Sequence, residues 1–362
     1  MDVRDIFENL FVLEMTNNHQ GKLERGIQII YEHSRVVRFN NVRAAIKLQF
    51  RNLDSFVHKN FIDRMDIYYI RRLHESRLSH DEYATLVEHI RKSGCIPMAT
   101  PFDEKSVDLC VEFEMPIIKV ASADNNDWLL LEKIAKTKKP VIVSTGGVSL
   151  KDMDDLVLFF ENRNIPLALN HCIAGYPTED YEMELDQIDY LQHRYPDHPI
   201  GLSTHEYHDW SASMYLAYGK GIRTFERHID INSDGYQVAK YSSLPEQVDT
   251  WFKAFHKAEQ MCGTSKTTRR LPIEKEVIYL DSYVRGVYAR HDIEPGQNLT
   301  ENDIYLAIPL QKGQLSTREM MLGRYGHKMV KSCAKDEPIN IDMVDTPYSS
   351  EELISQIMSR GL

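Results

Sequence analysis

Cysteine is scarce and unpatterned in this chain. The five residues (Cys95, Cys110, Cys172, Cys262, Cys333) are odd in number and none forms a C-x-x-C pair. That excludes a disulfide framework or a zinc ribbon, fits a reduced compartment and leads to the expectation of a cytoplasmic protein. Long hydrophobic runs are missing too. No apolar stretch approaches the roughly 18 residues that a membrane-spanning helix needs. The first residues, Met1-Asp-Val-Arg-Asp5, are polar, so no secretory leader is expected. An excess of positive charge is also absent: 43 Lys and Arg against 54 Asp and Glu leave a formal charge of −11. That argues against nucleic acid or an anionic membrane as the main partner. It does not exclude a small anionic substrate, because a few local lysines and backbone N–H groups decide that. Repeats and low-complexity tracts are lacking. The 362 residues, 42% of them hydrophobic, suffice for one sizeable core and a small extra module.

What is present is an alternation. Short β-type runs end in chemistry-capable residues: Phe11–Glu14, Ala45–Gln49, Ile96–Thr100, Ile117–Ser122, Val141–Gly146, Ala168–Cys172, Ile200–His205 and Thr224–His228. Helical patterns lie between them. Residues 23–40 put Ile27, Ile30, Tyr31, Ser34 and Val37 on one face. Ser79-His-Asp-Glu82 is a capping-box start for a helix running to Gly94. Further helices are expected near 150–162, 183–194, 210–219 and 244–262. An eightfold alternation with polar groups at one strand end is what a (β/α)8 TIM barrel enzyme requires. The barrel is expected over 1–263 and a linker over 264–279. A small β-rich domain is expected over 280–347, with turn signals at Glu294-Pro-Gly296 and Lys312-Gly313, followed by a short terminal helix over 348–362. The 51–78 stretch is longer than a barrel turn needs. It reads as a lid, an oligomer contact or a solvated insertion.

Lys47 and Lys119 sit in strands two and four facing the same way. A lysine inside a barrel is costly unless it meets an anion, so the pair predicts a phosphate or a carboxylate. Thr100, Ser122 and Ser144 add hydroxyl donors suited to phosphate oxygens. His205 and His228, from adjacent strands seven and eight, can reach one borderline divalent ion such as Mn²⁺, Fe²⁺ or Zn²⁺ with neutral imidazoles. Glu14 closes strand one and can orient or deprotonate a hydroxyl or a water. It can equally be the internal ion-pair partner of Lys47.

At these residues the chain resembles the sialic acid (N-acetylneuraminate) synthase family over most of its length. Glu14-Met-Thr-Asn-Asn-His-Gln-Gly21, Lys47-Leu-Gln49, Ala99-Thr-Pro-Phe-Asp-Glu104, Ile118-Lys-Val-Ala-Ser122, Ser144-Thr-Gly146, the block from His171 to Tyr176-Pro-Thr178, and Phe225-Glu-Arg-His228 follow the family's blocks in order. Residues 283–345 resemble its antifreeze-like (SAF) domain, with Ala289-Arg-His-Asp-Ile-Glu-Pro-Gly-Gln297 as the recognisable piece. The resemblance implies phosphoenolpyruvate as donor and an open-chain amino sugar of the N-acetylmannosamine type as acceptor, with phosphate released to give a nonulosonic acid. It implies a divalent metal, usually Mn²⁺. It also implies a domain-swapped, head-to-tail homodimer in which one chain's small domain covers the other's barrel. Lys47, Thr100, Lys119, Ser122 and Ser144 would hold phosphoenolpyruvate, and His205 and His228 the metal. Gln49, Asp124 and Tyr176 would face the sugar.

The departures from the family pattern fall on the acceptor side. Ala174 stands where Asn or Ser is usual, Thr204 where Asp is usual, and Asp234-Gly-Tyr-Gln237 where Gly-Pro-Asp is expected. Ala307-Ile-Pro309 lacks the arginine usual before that proline, so Lys312 or Gln311 is expected to make the covering contact. Two other classes compete: a Schiff-base aldolase using Lys47 or Lys119 as nucleophile, and a catalytically silent sugar-binding homologue.

Overall fold

In the computed structural model, residues 3–263, 267–322, 327–345 and 351–361 are described. The chain separates into two compact units, Met1–Thr264 and Ser265–Leu362. Among the described residues no helix is long and apolar enough to cross a membrane.

The first unit is a closed parallel barrel. Strands β1 (Leu10–Glu14), β2 (Arg43–Phe50), β3 (Ile96–Pro101), β4 (Ile118–Val120), β5 (Val141–Ser144), β6 (Leu167–Cys172), β7 (Ile200–Thr204) and β8 (Thr224–Ile229) pair in chain order. β1 pairs back onto β8, with Glu14 level with His228. A two-residue strand, Ser242–Ser243, adds beside β8. These strands are buried almost throughout, as parallel strands under a coat of helices must be.

Side chains alternate across each strand, so every second residue faces the barrel interior. The interior floor is apolar: Leu10, Val12, Ala45, Met98, Ile117, Ile142 and Ala168 form one cluster. The outward set, among it Phe11, Leu13, Ile46, Leu48, Val143, Leu169 and Phe225, belongs to the larger core under the helices. Phe11 is a hub there. Its ring lies 5.2 Å from Phe225 and 4.8–5.0 Å from Trp251, Phe252 and Phe255 of the helix Pro245–Cys262, sealing the β1–β8 seam. Gly201 in β7 has a steric reason. A Cβ there would lie 2.2 Å from Asn170 Oδ1, so the strand passes its neighbour only without a side chain.

Two details differ from the expectations and one adds to them. β4 is shorter than the run Ile117–Ser122, and Ser122–Asp124 turn into a 3₁₀ segment instead. The stretch 51–78 has structure of its own. It carries the helices Leu53–Phe56 and Tyr68–Glu75 over its own small core of Leu53, Val57, Ile70 and Leu73. The segment 264–279, expected as linker, holds from residue 274 onward a helix, Glu274–Tyr283.

The second unit pairs Gly286–Ala289 with Ile304–Ala307, and Lys328–Met329 with Val344–Asp345, both antiparallel. Its core includes Val287, Ala289, Ile293, Leu315 and Ile339, with Ile357 of the helix Glu351–Ser359 packed in.

Candidate active site

The period-two alternation that builds the apolar floor continues upward as polar residues. Above Leu10 and Val12 stands Glu14. Lys47 and Gln49 rise above Ala45, Thr100 above Met98, Lys119 above Ile117, Ser144 above Ile142, and Cys172 above Ala168. In β8 the series Thr224, Glu226, His228 carries no apolar member. Together these residues line a cavity of about 460 Å³ at the carboxyl ends of the strands, a volume suited to small molecules.

At its base lies a buried four-charge cluster. Lys47 pairs with Glu14 at very short range and lies 3.4 Å from Glu226, and Lys119 lies 3.7 Å from the other oxygen of Glu226. Lys47 Nζ also donates to Thr100 Oγ1 at 3.1 Å, and Lys119 Nζ to Ser144 Oγ at 2.6 Å. Burial pushes the Lys47 amine down to about 8, against the pull of Glu226. Burial alone would raise the Glu226 carboxyl, but Lys119 and Lys47 hold it below the usual carboxylate range. Glu14 accepts from the Thr16 backbone N–H at 2.6 Å, which fixes its second oxygen toward Lys47. Ser122 accepts from Gly146 N–H at 3.1 Å. A Cβ on Gly146 would lie 2.9 Å from Ser122 Oγ and 3.0 Å from Ala174, so glycine lets the segments after β4, β5 and β6 pack closely beside the cavity.

The two predicted histidines come together beside this cluster, their ring centroids 5.1 Å apart. The ring of Tyr176 lies 4.2 Å from His205, and that of Tyr241 5.1 Å from His228. Burial lowers the His205 imidazole to about 4 and drives His228 well down, so both are neutral. His205 Nδ1 donates to the Ile173 carbonyl at 2.9 Å, which leaves Nε2 with the lone pair. That is the orientation a metal ligand takes. His228 Nδ1 is buried without a hydrogen-bond partner. Among the described residues no third His, Cys, Asp or Glu completes a ligand cluster. The donor set therefore fits a divalent ion whose remaining positions go to water or substrate oxygens.

A second buried pair holds the histidines in place. Arg227 Nη1 donates to Glu206 Oε1 at 2.6 Å and Arg227 Nε to Ser243 Oγ at 2.7 Å, while Ser213 closes on the same Glu206 oxygen at 2.6 Å. Glu206 follows His205 in the chain and Arg227 precedes His228, so the ion pair ties the two strand ends together.

Ten of the residues expected at the site line this one cavity: Glu14, Lys47, Gln49, Thr100, Lys119, Ser122, Ser144, Tyr176, His205 and His228. Asp124 is not among its lining residues. It lies in the 3₁₀ turn after β4, its carboxyl raised to about 6 by burial and by Asp127. Lys312 belongs to the second unit, where it is exposed. Several lining residues were not foreseen: Glu226, Tyr241, Arg51, and Tyr68, Tyr69 and Arg72 from the 51–78 stretch. Glu226 was findable, since it alternates with His228 in the same strand. His171, also a strand-end residue, instead bonds the Met183 carbonyl at 2.8 Å and stays out of the cavity.

Barrel and cavity define the class: a (β/α)8 barrel with a polar, anion-ready site at its strand ends. The chain belongs to the NeuB family, which it matches over residues 41–267. Among solved structures it is similar to a Chromobacterium violaceum protein assigned as spore coat polysaccharide biosynthesis protein E. That likeness has 36% identity and a TM-score of 0.88 over 93% of this chain and 99% of the other. It is 26% identical to the pseudaminic acid synthase of Campylobacter jejuni, over 88% of this chain and 93% of that protein. It is also 26% identical to the human N-acetylneuraminate-9-phosphate synthase, over 92% of each chain.

Proposed function

We propose that the chain is a nonulosonic acid synthase that condenses phosphoenolpyruvate with an open-chain amino sugar and releases phosphate. The observation that carries this reading is one cavity in which two buried lysines and three hydroxyl groups adjoin a pair of neutral imidazoles. The pseudaminic acid and N-acetylneuraminate-9-phosphate synthases among its relatives supply the reaction class.

Lys47, Lys119, Thr100, Ser122 and Ser144 bind the donor. On its arrival donor oxygens take the place of Glu14 at Lys47, while Glu226 stays beside Lys119 as that ammonium also meets the donor, so neither ammonium is left unpaired at any stage. Gln49 and Tyr176 orient the acceptor. C3 of the donor forms a bond to the aldehyde carbon as the carbonyl π pair moves onto its oxygen, which takes up a proton to become a hydroxyl. Water adds at C2, and the tetrahedral centre breaks its C–O bond to expel phosphate. Glu14, once released by Lys47, takes the proton from that water. His205 and His228 would hold a divalent ion, Mn²⁺ by the family resemblance, which supplies Lewis acidity toward the aldehyde oxygen. Calorimetric titration of the chelator-stripped protein with Mn²⁺ should give one site per chain, lost in His205→Ala and in His228→Ala. Binding unchanged in both variants would reject the histidine pair as the ion site.

The proposal extends to a head-to-tail homodimer whose small, antifreeze-like domain covers the partner's cavity. Its support is the helix Glu274–Tyr283, which leaves Ile278, Tyr279, Leu280 and Tyr283 more than half exposed, an apolar surface fit for burial against a second copy. Lys312 is the covering residue by this reading, because the Gln311 amide already reaches the Tyr288 hydroxyl at 3.4 Å.

One observation favours a Schiff-base aldolase: burial pushes the Lys47 amine down to about 8. Its nitrogen, however, is held by Glu14 and Thr100, with Glu226 close by. Borohydride with pyruvate should therefore trap no adduct on Lys47 or Lys119.

A further inference from the structure

The two lysines of the cavity each face a carboxylate, but the two arginines that line it do not. Arg51 follows the last residue of β2 and Arg72 belongs to the helix Tyr68–Glu75, and both line the cavity that holds the lysine cluster. Among the described residues neither guanidinium makes an ion pair. The Arg51 guanidinium lies 3.6 Å from the Phe102 ring, which occupies one of its faces and leaves its N–H edge to seek an acceptor. Its Nε is buried with no hydrogen-bond partner. The Tyr69 hydroxyl bonds the same guanidinium, and Asp124 acts on it only through its field. Arg72 donates to Gln20 Oε1 at 2.5 Å, a neutral partner. Asp230, the carboxylate whose field reaches Arg72, is taken by Arg25 at 2.7 Å. A buried donor without an acceptor, as Arg51 Nε is, is costly, and two guanidinium groups without an ion-pair partner lining one cavity are a binding surface for an anion.

We infer that Arg51 and Arg72, steadied by Phe102 and Gln20, form a second anion subsite, and that it takes a phosphate or carboxylate carried by the acceptor sugar. This rests on the synthase reading above and names the acceptor class: a charged amino sugar, not a neutral one. The donor's charges are met separately by Lys47 and Lys119 with their hydroxyl neighbours. The 51–78 stretch thereby acquires a role in selecting the acceptor.

The test uses the full-length chain with Mn²⁺, phosphoenolpyruvate and three acceptors: N-acetylmannosamine, its 6-phosphate and the matching 6-carboxylate. Phosphate release should be at least about tenfold more efficient in kcat/KM with one of the two charged acceptors, as for a charge-assisted contact. The better one identifies the anion. In Arg72→Gln that preference should collapse through the acceptor KM. Arg51→Gln should do the same, and Arg51→Lys, which keeps the charge, should recover part of it. Equal or better use of the neutral sugar overturns the subsite and leaves the synthase reading standing. A rise in the phosphoenolpyruvate KM instead of the acceptor KM also overturns it, because the arginines then serve the donor. No phosphate release with any acceptor overturns both readings.

Discussion

Lys119 shows most clearly what single residues contribute here. Its ammonium group is buried, bonded to Ser144 and within 3.7 Å of Glu226. Lys119→Ala should weaken phosphoenolpyruvate binding by roughly 3–5 kcal/mol, the usual cost of removing one partner from a buried charge pair. Unchanged donor affinity in calorimetry would show that this lysine faces elsewhere. Lys47 makes a pH prediction. Its folded pKa is lowered to about 8 by burial, so the charged form is lost as pH rises through that value. Donor binding needs that charge. In the free enzyme kcat/KM for phosphoenolpyruvate should therefore fall on the alkaline side with a midpoint near 8, and Lys47→Arg, which stays charged, should move the limb upward. A flat profile from pH 7 to about 10 would contradict the assignment. Residue identity made most of this site legible. A lysine or histidine within an apolar run is a visible anomaly, and the four of them, Lys47, Lys119, His205 and His228, meet in one cavity with six other expected residues. Glu226 was equally legible, because strand alternation puts it on the same interior face as His228. Arg51 continues the alternation of Lys47 and Gln49 one residue past β2 and was legible by the same rule. Arg72 and Tyr241 carried no such signal, because they reach the cavity from segments whose path over the mouth is set by tertiary packing.

At the scale of elements, alternation and capping made the barrel readable. Residues 23–40 form the expected helix, and Ser79 with Glu82 closes the expected capping box. The elements that escaped lack these signals. β4 is three residues long and turns immediately into a 3₁₀ segment, so no periodic stretch marks where it stops. The helix Glu274–Tyr283 bunches its apolar residues at 277–280 instead of spacing them along a stripe, and none of its described side chains is buried. The β1–β8 seam is where one element's loss should be felt most. Phe11 packs there against four aromatic rings, so Phe11→Ala should cost about 3–5 kcal/mol in a denaturant titration of the barrel. A loss under about 1 kcal/mol would mean that the helix Pro245–Cys262 recloses the gap.

For the whole molecule, the division at residue 264 separates the catalytic proposal from the covering one. All ten expected residues that line the cavity lie in the first unit. A chain ending at 264 should still bind phosphoenolpyruvate but should fail to condense it, because water would enter an uncovered acceptor pocket. Turnover by the truncated barrel equal to that of the full chain would remove the cross-dimer cover from the account.

The central claim is that one cavity joins a donor site of two lysines to an ion-holding pair of histidines and runs a carbon–carbon condensation. Product analysis tests it most directly. The full chain is incubated with Mn²⁺, phosphoenolpyruvate and the neutral and charged amino sugars, and phosphate and keto acid are quantified together. The account predicts phosphate and one new nonulosonic acid in equal amounts, with both abolished by chelation and by His205→Ala. Phosphate accompanied by free pyruvate and no new sugar acid, or full activity in the chelated protein, would contradict it.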